Sequence, residues 1–196
     1  METTTSTRMG FDVEKMEAFN AYAAANPNDV VLGLEAKTIW EGRSGESLAR
    51  IGPWQLAGQR IEKPTRDYSI QFGAWKEVAE AIGVEAPGDK IEPVEAALAA
   101  VCSCVTWAIA INAAREGLTL DALEVKARAT VDPRVLLGIV PVEEASSCMQ
   151  RVEMEIDVRG DLTEADRLRI AQMAKRSPVH ALISHANTIQ STVRLG

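Results

Sequence analysis

The sequence predicts an α+β chain organised around one buried helix. Residues 92–117 read EPVEAALAAVCSCVTWAIAINAAREG, and from Ala96 to Ala114 only Ser103, Thr106 and Asn112 are polar. A helix apolar on every side is buried in a core or spans a membrane. Here it is flanked by long amphipathic patterns, which select the core. Apolar and polar residues alternate cleanly at 123–131 and again at 152–158, the period of half-buried strands with one wet face. A capped amphipathic stretch follows at 163–174. Strands, buried helix, strands and helix in that order predict antiparallel sheet with packed helices.

Composition limits the alternatives. A chain of 196 residues with 46% apolar and 25% charged residues has the make-up of an ordinary globular domain. Its net charge of −7 argues against a nucleic-acid surface. The opening METTTSTRMG has no apolar stretch and reads as a flexible tail over 1–10, ahead of a single domain over 11–196. Three cysteines without disulfide spacing, and no targeting segment, point to the cytoplasm.

The elements follow in chain order. Val13, Met16, Phe19 and Ala23 recur at helical spacing, so 11–27 is expected to be a helical extension stopped at Asn26-Pro27. Residues 32–40 alternate as a strand, and Glu41 to Gly45 form a turn. A second strand pattern spans 48–61, with a bend at Gly52-Pro53. Tyr68, Ile70 and Phe72 alternate again, and Trp75 to Ile82 read as a short helix closed by Gly83. In the central helix Pro93 suits the first helical position and Gly117 a left-handed cap. Ala100, Val101, Ala108 and Ile111 are expected to be buried there. Residues 132–148 form an irregular connection between the two clean strands, long enough for a functional loop. Thr163 and Asp166 resemble a capping box. Ser177-Pro178 starts a short helix to about Ala186, and Ile189, Ser191, Val193 and Leu195 alternate as a last strand.

Two segments together resemble the OsmC/Ohr family of osmotically induced and organic-hydroperoxide-resistance proteins. The first runs from Pro93 to Cys104: a proline, an early acid, a Leu/Ala helix, and a cysteine eleven residues after the proline. The second is Ser177-Pro178-Val179-His180, where most members read Cys-Pro. Gly160-Asp161-Leu162 before the last long helix fits as well, and the likeness covers roughly residues 30–196. The resemblance implies an intertwined homodimer with buried central helices on curled antiparallel sheets and active sites at the subunit interface. It implies a thiol peroxidase cycle in which Cys104 attacks the peroxide, Arg43 from the first hairpin holds the thiolate, and Glu95 orients that arginine. Arg50 is the alternative arginine. Ser177 occupies the place of the resolving thiol, and a hydroxyl cannot form a disulfide.

The residues also carry readings of their own. Cys102 lies two positions from Cys104, about 200° around a helix, and reads as core. Glu95 suits a helix start without any further role, Ser177 suits a helix cap before Pro178, and Arg43 suits a solvated turn. Cys148, beside the irregular connection, reaches Cys104 only if that loop folds over the site. No metal or other cofactor is expected, because His180 and His185 stand five apart and complete no ligand set with the cysteines. Gly42 to Ser47 lacks a phosphate-loop ending, and no nucleophile-elbow pattern occurs. Three functions remain in view. One is a one-cysteine reductase of organic hydroperoxides served by an external thiol. Another is a non-peroxidatic binding protein for a hydrophobic small molecule, and the third is a thiol enzyme of acyl or sulfur transfer. All are soluble, with no membrane and no nucleic-acid partner.

Overall fold

The structure is a computed structural model that describes residues 7–42, 45–149 and 151–194. The chain begins with the short strands β1 (Thr7–Arg8) and β2 (Phe11–Asp12) and the helix α1 (Val13–Ala25). Six strands follow: β3 (Leu32–Leu34), β4 (Lys37–Trp40), β5 (Ser47–Ile51), β6 (Trp54–Leu56), β7 (Gln59–Ile61) and β8 (Tyr68–Phe72). Then come α2 (Lys76–Ala81), the long helix α3 (Pro93–Arg115), β9 (Ala122–Ala129), β10 (Val152–Arg159), α4 (Glu164–Ala174) and α5 (Pro178–Ser184). The fold is α+β, and every named strand pair is antiparallel.

The chain divides into two compact units, one of residues 14–97 and one combining the N-terminal residues through Val13 with Leu98 onward. The first contains two open three-stranded sheets, in the orders β3-β6-β7 and β4-β5-β8. The strand expected over 32–40 is divided into β3 and β4, and the one over 48–61 into β5, β6 and β7. The bend at Gly52-Pro53 is where the sequence places it. The second break is a tight turn at Ala57-Gly58, with φ of +50° and +77°. Alanine rarely adopts that region, so the sequence gives no warning of the turn.

The second unit holds the core. β9 and β10 pair in full register from Ala122↔Arg159 to Ala129↔Val152. Their inward faces, Leu123, Val125 and Ala127 with Met154, Ile156 and Val158, cover a cluster of Val101, Val105, Ile109 and Ala113 from α3 and Ile170, Met173 and Ala174 from α4. The α3 residues in that cluster recur every four positions and so form one stripe along the helix. Gly160 ends β10 at φ +154°, and a Cβ there would stand 2.6 Å from the Thr119 carbonyl oxygen. Backbone crowding therefore requires glycine at this crossing. Thr163 and Asp166 form the expected capping box: the Asp166 N–H donates to Thr163 Oγ1, and the Thr163 N–H to the Asp166 carboxylate.

Both ends of α3 are closed as the sequence predicts. Pro93 is the first residue, and Gly117 takes a left-handed φ of +83°. The Leu118 N–H then reaches back to the Ala113 carbonyl at 2.9 Å, the six-to-one bond of a glycine-terminated helix. Arg8 adds a guanidinium donor to the Ala114 carbonyl at 2.7 Å, and the Met9 sulfur accepts the Leu120 N–H. By length and hydropathy α3 could cross a membrane, but its buried stripe makes it the core helix of this fold.

Two expectations are corrected. Only one side of α3 is covered: Val101 and Ala108 are buried, whereas Ala100 is exposed and Ile111 only half-buried. The helical extension expected over 11–27 is present as α1, which buries no residue and leaves Phe19 exposed. Residues 186–194 form no strand, and Ile189 and Val193 are 87% and 85% exposed. Their alternation is strand-like, but a strand also needs a neighbouring edge to receive its hydrogen bonds, and none of the described strands pairs with it.

Candidate functional site

Cys104 lies on α3, half-buried. At 100° per residue it sits about 60° round the helix from the buried Val101 and about 40° from the buried Ala108. On its other side come Ala100, Ser103 and Trp107, all exposed. The thiol therefore stands on the border between the packed face and an uncovered apolar face. Trp107 belongs to that uncovered face, with its ring edge-on to Phe11 at 5.7 Å and 63°.

Cys102 is turned about 200° away, as the helix geometry predicts. It faces β9, where burial raises its pKa and a backbone hydrogen bond with Ala127 pulls the other way. A thiol held protonated by desolvation is the weaker nucleophile. Cys148 closes the irregular connection: its carbonyl accepts the Asp132 N–H at 2.8 Å, tying the loop ends together. It lines a cavity of about 700 Å³ together with Leu98, Val131, Asp132 and Arg128, and Cys104 is not part of that wall.

Glu95 has a defined structural role. The Glu92 carboxylate accepts the Val94 N–H at 2.6 Å, and the Glu95 carboxylate accepts the Glu92 N–H at 3.1 Å. That is a reciprocal cap with glutamate in the place usually taken by serine or threonine. The Trp75 indole N–H, then the Glu92 N–H, hold the Glu95 carboxyl below its ordinary 4.5. The ionised form is the one favoured. Its contribution to stability is complete above the ordinary carboxylate pKa and is lost as pH falls through the depressed value. Arg43 lies outside the described residues. Arg50, the alternative, is on β5 with its guanidinium 3.6 Å from the Asp67 carboxylate.

Ser177 is fully buried. Its hydroxyl accepts the His180 N–H at 3.1 Å, and its own N–H donates to the Ala174 carbonyl at 3.2 Å. It caps α5, with Pro178 at the first helical position, as its place in the sequence suggests. The cap accounts for a serine at this position.

Among the residues treated as candidates, Cys104 and Ser177 belong to the same compact unit and Glu95 to the other. One feature escapes sequence reasoning. Val101, Met149, Met154, His180 and Ile183 line a common cavity of about 300 Å³. They come from three separate stretches, and only the fold brings them together. His180 stands out in the sequence as one of two histidines, but no spacing connects it to the others.

The fold has known counterparts. An OsmC-like protein from Mycoplasma pneumoniae superposes with a TM-score of 0.52 at 12% identity, over 76% of this chain and 86% of that one. A putative osmotic stress induced and detoxification response protein from Psychrobacter arcticus gives 0.49 at 14% identity, over 75% and 85%. An organic hydroperoxide resistance protein OsmC from Legionella pneumophila gives 0.44 at 13%, over 77% and 88%. At these identities the likeness extends to the fold alone, and the first of the three carries it. Among curated proteins none matches the chain. The sequence profile described as OsmC-like protein matches residues 86–192, which takes in α3, the β9–β10 pair, α4 and α5. With more than half of its length matched by that profile, the chain belongs to the OsmC-like protein family.

Proposed function

We propose that the chain is a thiol-dependent reductase of organic hydroperoxides that works as a homodimer with one nucleophilic cysteine, Cys104. The observation that carries this reading is the position of that thiol. It stands eleven residues after the helix-starting proline, half-buried on the border of an uncovered apolar face of α3. The Cys104 thiolate attacks the peroxide O–O bond, releasing the alcohol and leaving a sulfenic acid. An external thiol condenses with it, releasing water and forming a mixed disulfide. A second thiol then restores Cys104 and leaves as a disulfide. Sulfur carries the electrons throughout, so the cycle requires no metal or organic cofactor. Arg43 is the cation that favours the thiolate, and Glu95 orients it while capping α3.

Ser177 supports the dependence on an external thiol, because an oxygen there cannot resolve the sulfenic acid. The uncovered side of α3 supports the dimer: an apolar helix face beside the thiol is stabilised when a second copy excludes water from it. The cycle suits a reducing cytoplasm that supplies small thiols. With cumene hydroperoxide and a thiol reductant, Cys104→Ser is expected to lower peroxide consumption at least about 100-fold, to the uncatalysed rate. Retained consumption in that variant would overturn the reading.

A further inference from the structure

We infer that Met9 is an oxidation-sensitive latch: a hydroperoxide converts its thioether to the sulfoxide, and the hairpin of β1 and β2 then comes away from α3. The hairpin is short. Thr7 pairs with Asp12 and Arg8 with Phe11, so Met9 and Gly10 make the turn. Both have positive φ, +49° and +81°. That is the primed hairpin geometry, in which asparagine, aspartate or glycine ordinarily fills the first turn position. A methionine rarely adopts it, and a residue so strained persists only where its surroundings hold it.

The Met9 side chain supplies that hold. Its sulfur accepts the Leu120 N–H at 3.3 Å, and it packs against the core cluster of α3 and α4. The Leu120 N–H has no other partner among the described residues. Flanking Met9, Arg8 donates to the Ala114 carbonyl at 2.7 Å and the Phe11 ring meets Trp107 edge-on at 5.7 Å. The hairpin is thus strapped along the C-terminal half of α3. Of these contacts, the thioether is the one that redox chemistry switches.

Met9 is half-buried, so a small oxidant reaches its sulfur. The sulfur lone pair attacks the hydroxyl-bearing oxygen of the hydroperoxide as the O–O bond breaks. An S–O bond forms, the hydroxyl proton passes to the departing alkoxide, and the alcohol leaves. Sulfur gives up two electrons and the peroxide takes them. The new oxygen does not fit the latch. An N–H···O bond alone needs about 2.9 Å, nearly the whole 3.3 Å between sulfur and nitrogen. The sulfoxide is also polar, where Met9 packs on apolar side chains. The side chain therefore withdraws, and the strained turn loses its anchor. Arg8 and Phe11 go with it, which uncovers Trp107, one helical turn from Cys104. A thiol-driven sulfoxide reductase resets the latch. The step belongs to Met9 alone and is independent of whether Cys104 turns over peroxide.

The test is hydrogen exchange at the Leu120 amide, followed by NMR in the full chain before and after excess cumene hydroperoxide, with peptide mapping of Met9. Once Met9 is sulfoxide, Leu120 should exchange at least about tenfold faster. Trypsin cleavage after Arg8 should rise in parallel. Met9→Leu keeps the apolar contact without an oxidisable sulfur, and the same treatment should change its Leu120 exchange by less than about twofold. Met9→Gln, polar from the start, should exchange at the oxidised rate without peroxide. If that variant fails to fold, the comparison of oxidised wild type with Met9→Leu still decides. Cys104→Ser should open as the wild type does, which separates the latch from the peroxidase reading. Three results would overturn the proposal. They are Leu120 protection intact in chains whose Met9 maps as sulfoxide, a Met9→Leu variant that opens like the wild type, and a Met9 that stays a thioether in folded protein while other methionines oxidise.

Discussion

Ser177→Cys is expected to convert the protein from a one-thiol to a two-thiol enzyme. Treated with peroxide, the variant should form a disulfide between Cys104 and the introduced thiol within one subunit. Peroxide turnover with a dithiol reductant should then rise by at least about tenfold, because exchange within the protein replaces a bimolecular step. The position favours such a thiol, since it lies at the N-terminus of α5 with a backbone N–H already directed at the side chain. The change weakens a serine cap, with an expected loss of about 1 kcal/mol. Ser177 is fully buried, so the larger sulfur must also be accommodated by the core. The disulfide requires Cα atoms within about 7 Å. Peptide mapping of the peroxide-treated variant checks it. A folded variant without the Cys104 linkage would show that the two family motifs are not aligned as proposed.

Trp107→Glu should separate the subunits. Trp107 is 61% exposed on the uncovered face of α3, two residues from the buried Val105 and three from Cys104. In the proposed dimer it becomes a central aromatic anchor. Replacing such an anchor by a charge is expected to cost at least about 2 kcal/mol, or roughly 30-fold in the dissociation constant. Because Cys104 borders the same face, peroxide consumption should fall with dissociation and recover as protein concentration rises. Sedimentation velocity of wild type and variant provides the check, with circular dichroism to establish folding. A variant that self-associates as tightly as the wild type would remove this face from the interface.

Much of this arrangement was legible in the sequence, and the reasons are physical. Pro93 and Gly117 bound α3 because each is suited to its helix end and neither to the interior. β9 and β10 were legible because one face meets a core and the other meets water, so period two is written along both strands. Thr163 and Asp166 announced α4 through hydrogen bonds that depend on local spacing alone. What failed depended on distant or non-local partners. Ala100 and Trp107 are exposed because burial depends on what packs against each face of α3, and composition does not state that. The alternation at 189–195 promised a strand without saying which edge would receive it. The cavity around His180 joins stretches about 50 and 30 residues apart, a proximity that only packing creates. Counting from Pro93 singles out Cys104 in the sequence, and the structure places it half-buried on α3. That Glu95 suits a helix start was legible too, but its partner, the Glu92 N–H, emerged only from the hydrogen bonds.

The claim that Cys104 is the reactive thiol is tested most directly by intact mass spectrometry after limiting cumene hydroperoxide, followed by mapping of the oxidised residue. The account predicts one added oxygen, or one mixed disulfide when a small thiol is present, located at Cys104, with Cys102 and Cys148 unmodified. Excess peroxide should drive the same residue to the sulfinic form. Oxidation mapped first to Cys148 or Cys102, or no oxidation at all in folded protein, would contradict it.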